Sequence, residues 1–295
     1  MNFDYVQDLY SIEKSTVLFK HVESKEILQF TDSLEKFKAE IQYRYDNDEH
    51  LAEVLSLLKR VFFKLVSSLL PYDKGIDKEI ENQILSQFML MKNSYPSLFS
   101  KVGRELAKNF KKVIEIRQNY LLDFICNFID KRAGSGTKIA IVTKRALTVN
   151  ERLSINKNLK LEVEITYFTD NGYRKNIETF DEVIFLGNPN YFGEYVKNTF
   201  KGKTITFISY DLFNNYFNAK KIFEDIDCRG TYSTIYENII FGEPAARKVN
   251  ITLEKAEWMN AAVAKIIEEQ QSTAENHAHE AIEAGIIYLE NERYL

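Results

Sequence analysis

The residues that could bind a ligand follow four short apolar runs in the middle of the chain. The runs read KIAIVT (138 to 143), LEVEITYF (161 to 168), EVIFLG (182 to 187) and TITFISY (204 to 210). In an open parallel sheet, ligands collect at the carboxyl ends of the strands. If the runs are such strands, the candidate ligand-binding residues are Thr143, Lys144, Arg145, Thr169, Asp170, Gly187, Asn188, Ser209, Tyr210 and Asp211.

Positive charge singles out two groups of residues as candidates for binding phosphate or nucleic acid. Lys144 and Arg145 stand where the first predicted strand gives way to a predicted helix. An earlier group recurs at helical spacing and consists of Arg104, Lys108, Lys111 and Lys112. A basic helix face beside the first strand can track the phosphates of a nucleic acid. The alternative for both groups is an ordinary solvated surface, and the sequence leaves that alternative open.

The sequence contains no specific catalytic or metal-binding motif. The segment GSGTK (134 to 138) has the composition of a phosphate-binding loop, but a helix is predicted before it and a strand after it. That order is the reverse of the one that such a loop requires. His277 and His279 lie two positions apart in a segment that is predicted to be helical, so their side chains point away from each other. We therefore predict no metal, no cofactor and no autonomous catalytic activity.

The elements that must position these residues are predicted to form an α/β fold. Short runs rich in Val, Ile, Phe and Tyr are typical of buried strands in a mostly parallel, Rossmann-type sheet. The polar spacers at 144 to 160, 171 to 181 and 188 to 203 would supply the crossover helices. Because the second spacer is short for a helix, an edge or antiparallel strand is the alternative there.

Glycine-rich breaks and the spacing of apolar residues divide the chain into three parts. Residues 1 to 133 are predicted to be a mainly helical domain, in which TVLFK (16 to 20) and ILQF (27 to 30) can pair as a short hairpin. The Gly-rich break AGSGT then opens an α/β domain over residues 134 to 249. Residues 250 to 295 are predicted to be a helical extension that ends in a small hairpin turning at Glu290 to Glu292.

Composition and charge narrow the class of protein. The chain has 295 residues, of which 45% are apolar, and a formal net charge of −4. Cys126 and Cys228 fit no metal or redox spacing, which favours a reducing compartment. No segment approaches the roughly 20 apolar residues that cross a bilayer. The first residues also lack the basic start and apolar stretch of a secretory signal. We therefore predict a cytoplasmic protein that does not associate with membranes.

Several segments resemble a known family. The helix YLLDFICNFIDKR (120 to 132), the strand KIAIVTK (138 to 144) and the segments FDEVIFLGNP (180 to 189) and KTITFISYD (203 to 211) follow the order of the second RecA-like lobe of superfamily 1 and 2 helicases. The segment FDEVIFLGNPNYF is similar to the degenerate helicase-like portions of DrmE-like anti-phage proteins of the DISARM system. The resemblance covers about residues 117 to 225 and implies that the α/β domain is RecA-like.

The resemblance also implies a role. In the family, the helix after the first strand contacts the nucleic-acid backbone, and Lys144 and Arg145 would inherit that contact. The late Q-x-x-G-R-x-x-R element of the family has no counterpart here, since Arg229 and Arg247 stand outside such a context, and the first lobe with its phosphate loop is absent. The resemblance therefore implies a non-catalytic subunit of a nucleic-acid-acting complex, as in phage defence, with protein subunits and DNA or RNA as partners.

Two other functions are compatible with the same residues. The first is a nucleotide-binding or small-phosphate-binding enzyme or sensor, whose site lies at the carboxyl ends of the strands. The second is a structural subunit that uses its helical N-terminal half as a docking surface for another protein. The sequence alone does not decide among the three functions.

Overall fold

The fold is organised around a six-stranded sheet in which every pair of neighbouring strands is parallel. The computed structural model describes residues 15–46, 48–134, 136–193 and 201–213, together with the backbone of 239–241, 288–289 and 293–294. The strands are β1 (Ser15–Val22), β2 (Lys138–Thr143), β3 (Glu164–Thr169), β4 (Phe180–Leu186), β5 (Gly202–Tyr210) and β6 (Ile239–Phe241). Their order across the sheet is β3-β2-β4-β5-β1-β6.

Helices occupy most of the chain between β1 and β2. They are α1 (Lys25–Arg44), α2 (Glu49–Ser67), α3 (Tyr72–Gly75), α4 (Lys78–Ser94), α5 (Pro96–Leu98), a π-helical turn (Phe99–Gly103), α6 (Arg104–Ile114) and α7 (Tyr120–Arg132). Side-chain caps start several of them, as where Asp48 accepts a hydrogen bond from the Leu51 amide at the start of α2. The mainly helical N-terminal region that the sequence predicts is confirmed.

The predicted mostly parallel sheet is confirmed as well. Its first spacer carries α8 (Val149–Asn158), and its second carries α9 (Asp170–Lys175) where an antiparallel strand was the alternative. The third spacer begins with a 3-10 turn (Pro189–Tyr191), and residues 194 to 200 lie outside the described residues. Parallel neighbours require such crossovers, because the chain must return to the same end of the sheet before each strand.

The predicted hairpin between residues 16–20 and 27–30 is wrong. Residues 16 to 20 lie in β1, but Ile27 and Phe30 lie in the first turns of α1. Ser24 caps this helix by accepting a hydrogen bond from the Ile27 amide at 3.3 Å. Ile27, Phe30 and Leu34 are buried at spacings of three and four, which is the period of a helix and not of a strand.

β1 pairs instead with β5 along its whole length and with β6 on its other side. Ser15 Oγ anchors the start of this pairing by donating to the Gly202 carbonyl at 2.8 Å. The division of the chain into domains at residue 134 stays a prediction. The sheet itself crosses that position, because β1 precedes it and β5 follows it.

Both faces of the sheet are covered. One face packs against the helices of the N-terminal half, and its central residues are Ile139, Ile141, Ile184 and Ile208. The other face is rich in aromatic rings and includes Tyr173 of α9 with Val142, Val183, Phe185 and Phe207. Alternate residues of β2, β4 and β5 thus point to opposite cores, as expected for strands that read as continuous apolar runs.

After residue 213, the structure describes only three short strands. β6 lies within a segment that the sequence identifies as strand-like, and β7 (Tyr288–Leu289) pairs antiparallel with β8 (Arg293–Tyr294). This pair confirms the predicted terminal hairpin. The predicted helical extension from residue 250 otherwise lies outside the described residues. In the part of the chain that the structure describes, no helix has both the length and the apolarity to cross a membrane.

Candidate functional site

The order of the strands fixes where a ligand site is expected. β3, which follows β2 in the chain, lies on one side of β2 in the sheet, and β4 lies on the other side. The direction in which strands are added therefore reverses between β2 and β4. Ligands of open α/β sheets bind in the crevice outside the carboxyl ends of the strands at such a switch point. The switch point lies at the edge formed by Thr143 of β2 and by Gly187, which follows β4.

A pocket lies at this edge, and we call it the switch-point pocket. Its cavity volume is about 50 Å³, which is room for one small group of a ligand, and it opens toward solvent. Its residues from the sheet edge are Thr143, Lys144, Arg145, Leu147, Leu186, Gly187, Asn188, Tyr191, Ile208, Ser209, Tyr210 and Phe213. The pocket thus brings together the ends of β2, β4 and β5, as the strand-end rule predicts from the sequence.

Helices of the N-terminal half form the opposite wall of the pocket. Phe63, Val66 and Ser67 lie in the last turns of α2, and Leu121 lies in the first turn of α7. Sequence reasoning missed these four residues. No local pattern distinguishes them from other positions on an amphipathic helix, because their role depends on how α2 packs against the sheet.

The loop after β4 has a conformation that requires glycine. Gly187 has a φ of 143°, and a Cβ atom at this position would lie 2.9 Å from Cδ1 of Tyr191. Asn188 caps the following 3-10 turn by accepting a hydrogen bond from the Tyr191 amide at 3.0 Å. These two residues place the Tyr191 ring against the backbone of the loop and thereby shape one wall of the pocket.

The two cations predicted to bind phosphate are both held in ion pairs. Lys144 Nζ lies 2.6 Å from Oδ2 of Asp170, so two of the predicted site residues contact each other. Arg145 donates from Nη1 and Nη2 to the two carboxylate oxygens of Glu151 at 2.8 and 2.5 Å. A bidentate pair of this kind fixes the guanidinium in one orientation. Both cations line the pocket, but neither presents an uncompensated charge to it.

Glu151 is the buried centre of this arrangement. Its side chain is 1% exposed. Burial alone would raise the pKa of the carboxyl group, but the hydrogen bonds from Arg145 and from the amides of Thr148 and Leu69 prevail and lower the pKa to about 2. Glu151 also completes a capping box with Thr148 at the start of α8. The carboxylate therefore ties the loop after β2 to the loop after α2.

The remaining strand-end residues divide between the pocket and the scaffold. Ser209 lines the pocket and is buried. Thr169 caps α9 by accepting a hydrogen bond from the Gly172 amide at 3.2 Å, and it does not line the pocket. The Asp211 amide donates to the Val22 carbonyl at 3.0 Å and joins β5 to β1. Thr169 and Asp211 therefore support the sheet edge rather than the pocket wall.

Tyr210, which lines the pocket, is one of a pair of buried tyrosines. The hydroxyl groups of Tyr72 and Tyr210 are hydrogen-bonded to each other. The ring of Tyr120, at the start of α7, lies against the ring of Tyr72 at a centroid distance of 6.4 Å. Burial raises the pKa of both phenols well above its ordinary value, so both stay protonated near neutral pH. The pair links α3 to β5, and the contact with Tyr120 links both to α7.

The predicted basic helix face lies elsewhere on the molecule. Arg104, Lys108, Lys111 and Lys112 are all exposed on α6, which packs against α1. Lys111 pairs with Glu115 at 3.7 Å, and Lys112 donates to Oε1 of Gln29 at 3.3 Å. None of the four residues lines the switch-point pocket. The two predicted groups of cations thus do not form one surface.

The described side chains form neither a metal-binding cluster nor a reactive thiol. Across residues 15–46, 48–134, 136–193 and 201–213, no three His, Cys, Asp or Glu side chains are placed to hold a metal ion. Burial raises the pKa of the Cys126 thiol to about 12, so the thiol stays protonated. His277 and His279, from which we predict no metal site, lie outside the described residues.

Comparison with known proteins adds no relative. The chain matches no family model, no curated protein and no solved structure. The resemblance to helicase lobes and to DrmE-like proteins therefore stays a prediction. The function has to be argued from the geometry of the site.

Proposed function

We propose that the protein binds a small organic molecule in the switch-point pocket and acts as a sensor or carrier of that molecule. The observation that supports this function is the coincidence of the pocket with the point where the sheet reverses its winding. Pockets for small molecules are mostly apolar with a few polar groups that fix orientation, and this pocket has that composition. The nucleotide or small-phosphate function that the sequence predicts is one form of this proposal.

The chemistry of the lining favours binding over catalysis. The described residues that line the pocket include no histidine, cysteine or carboxylate that could serve as a general base or nucleophile. Lys144 and Arg145 are engaged in ion pairs with Asp170 and Glu151, and burial raises the pKa of the Tyr210 phenol, which keeps it neutral. The polar groups at the strand ends can therefore orient a ligand, but they are not poised to move a proton.

Filling the pocket should abolish ligand binding. Ser67 is half-buried in the wall of the pocket, so the large ring of Ser67→Trp would occupy the space that a ligand needs. We expect one or more members of a panel of ATP, ADP, AMP, NAD and inorganic phosphate to raise the melting temperature of the wild type. At a hundredfold excess over Kd the rise should be about 5 °C. Ser67→Trp should show no rise.

The matched control is Ser56→Trp, which makes the same change at an exposed position of the same helix. This variant should keep the ligand-induced rise of the wild type. Differential scanning fluorimetry measures all three proteins. An equal rise in Ser67→Trp and in the wild type would show that the ligand binds elsewhere, and the proposal would fail.

A second candidate function is nucleic-acid binding through α6, as a subunit of a nucleic-acid-acting complex. The specific observation is that all four cations predicted for this role are exposed on one helix. If they bind phosphates, the double variant Arg104→Gln with Lys108→Gln should weaken DNA binding and lower the slope of log K against log salt by about 2.

Fluorescence anisotropy with labelled single-stranded and double-stranded DNA at several salt concentrations measures this slope. The matched control is Lys92→Gln with Lys157→Gln, which removes the same charge from exposed positions on α4 and α8. The control should bind as the wild type does. Absence of DNA binding at low salt would dismiss this candidate.

A further inference from the structure

We propose that the ligand is an amphipathic anion, whose apolar part fills the switch-point pocket and whose phosphate or other anionic group lies in an adjoining cationic groove. This inference rests on the proposed function, because it assigns the chemical class of the molecule that the pocket binds. It assigns a binding role to Arg60, Lys64 and Lys74, which the sequence alone does not single out.

The groove lies between the sheet edge and the helices α2 and α3. Its cavity volume is about 650 Å³. We define the cationic groove by the five basic residues that line it, which are Arg60, Lys64, Lys74, Lys144 and Arg145. Phe63, Ser67, Lys144, Arg145 and Tyr191 line both cavities. The groove and the switch-point pocket are therefore continuous.

Positive charge prevails in the groove after its ion pairs are counted. Among the residues that the structure describes, five cations and two carboxylates, Asp77 and Glu151, line it, which leaves an excess of three positive charges. The excess is two when Asp170, the partner of Lys144, is included. A concave surface of one charge sign concentrates ligands of the opposite sign.

Two of the groove cations have no carboxylate partner among the described residues. Lys64 is paired with Asp77 at 2.9 Å. Within the part of the chain that the structure describes, no carboxylate oxygen lies within 4.0 Å of the charged groups of Arg60 and Lys74, and both side chains are exposed. These two residues can therefore contact an anion without first giving up an ion pair.

The pocket at the other end of the cavity has the opposite character. Its walls are formed largely by Phe63, Val66, Leu121, Leu147, Leu186 and Phe213. Such walls favour a ring or a hydrocarbon chain, because apolar surface gains free energy when it leaves water. A molecule with an apolar body and a phosphate satisfies both ends. A nucleotide and an alkyl phosphate share this chemistry, and the experiment has to distinguish them.

Two fluorescent probes test the inference. 8-Anilinonaphthalene-1-sulfonate has an aromatic body and an anionic group, and N-phenyl-1-naphthylamine has nearly the same body without the charge. We expect the sulfonate to bind the wild type more tightly than the neutral probe at low salt and to lose that advantage as salt is added. Arg60→Gln with Lys74→Gln should weaken binding of the sulfonate roughly fivefold and leave the neutral probe unchanged.

The matched control is again Lys92→Gln with Lys157→Gln, which should bind both probes as the wild type does. Arg60 and Lys74 are exposed, so the double variant should keep the melting temperature of the wild type, which scanning fluorimetry checks. Competition by AMP against adenosine, and by dodecyl phosphate against dodecanol, then shows whether the phosphate is carried by a nucleoside or by an alkyl chain. In either case the phosphorylated competitor should displace the probe at a lower concentration than its uncharged counterpart does.

The outcomes separate this inference from the proposed function. If Ser67→Trp blocks both probes but the groove variant binds the sulfonate as tightly as the wild type does, the pocket binds a ligand and the amphipathic-anion inference is overturned. If Ser67→Trp binds both probes as the wild type does, the proposed function itself is wrong. If the groove variant weakens the sulfonate alone, the inference is supported.

Discussion

Glu151→Gln should lower the free energy of unfolding by about 3 kcal/mol. The Glu151 carboxylate accepts hydrogen bonds from Arg145, from Ser68 Oγ, from the Leu69 amide and from both the amide and the hydroxyl of Thr148. A glutamine cannot satisfy this set, because its amide nitrogen is itself a donor. The Arg145 guanidinium would then be left without its anionic partner.

The pH dependence of stability gives the same interaction a separate signature. The pKa of Glu151 is about 2 in the folded protein and has an ordinary value of 4.5. The unfolded chain therefore takes up a proton first as the pH falls. The resulting stabilisation of about 3 kcal/mol is complete above pH 4.5 and is lost between roughly pH 4.5 and pH 2. The Gln variant should lack this component of acid sensitivity.

Urea unfolding between pH 3 and pH 7 measures both effects. Glu162→Gln is the matched control, because Glu162 is exposed and the same change there should alter the free energy of unfolding by less than about 0.5 kcal/mol. If Glu151→Gln and Glu162→Gln are equally stable at neutral pH, the tie between the two loops contributes nothing, and this account of the site is wrong.

Phe207→Ala should cost about 4 kcal/mol of stability, because it opens a cavity in the aromatic core of the sheet. Phe207 is fully buried. Its ring centroid lies 4.8 Å from that of Phe185 and 5.9 Å from that of Phe19, and both pairs are stacked. The variant therefore loses the transfer free energy of the ring and its contacts with two further rings.

The same substitution at a half-buried ring provides the control for Phe207→Ala. Phe124 on α7 stacks on Phe128 at a centroid distance of 6.4 Å but is only partly buried. Phe124→Ala should cost less than half as much, since less apolar area leaves water there. Chemical denaturation followed by circular dichroism compares the two variants. Equal losses would mean that β5 is not packed as the structure shows.

The strands of the sheet could be predicted from the sequence because burial on both faces produces continuous apolar runs. The run at 138 to 143 coincides with β2, and the run at 204 to 210 lies within β5. The segment ILQF shows where prediction from apolar runs fails. Four residues are too few to distinguish the period of a strand from that of a helix. The residue that decides in favour of a helix is Ser24, which caps α1 by accepting a hydrogen bond from the Ile27 amide.

The partner of β1 could not be predicted from local pattern. β1 pairs with β5, which is distant in the sequence, and no residue of β1 indicates that choice. The carboxyl ends of the strands could be predicted as the site, because the strand-end rule needs only the order of elements along the chain. The switch point between β2 and β4 could not, because it depends on the order of the strands across the sheet. The opposite wall from α2 could not, because it depends on tertiary packing.

The ion pairs of the site could be predicted from the sequence only in part. Thr148 and Glu151 have the spacing of a capping box, which is readable in the sequence and which places a carboxylate close to Arg145. That signal was missed, and Arg145 was interpreted as a free phosphate ligand. The pair of Lys144 with Asp170 joins the ends of two neighbouring strands and became visible only with the register of β2 and β3.

During synthesis, β1 leaves the ribosome long before the strand that it pairs with. Ser15 and Gly202, which are hydrogen-bonded in the finished sheet, are separated by 187 residues. At roughly 5 to 20 residues per second, the nascent strand would wait for roughly 10 to 40 s. An unpaired apolar strand is a template for association with other chains. Of the described elements, α1 and α2 are the first to follow β1 out of the ribosome, so we expect their apolar faces to cover the strand until translation reaches β5.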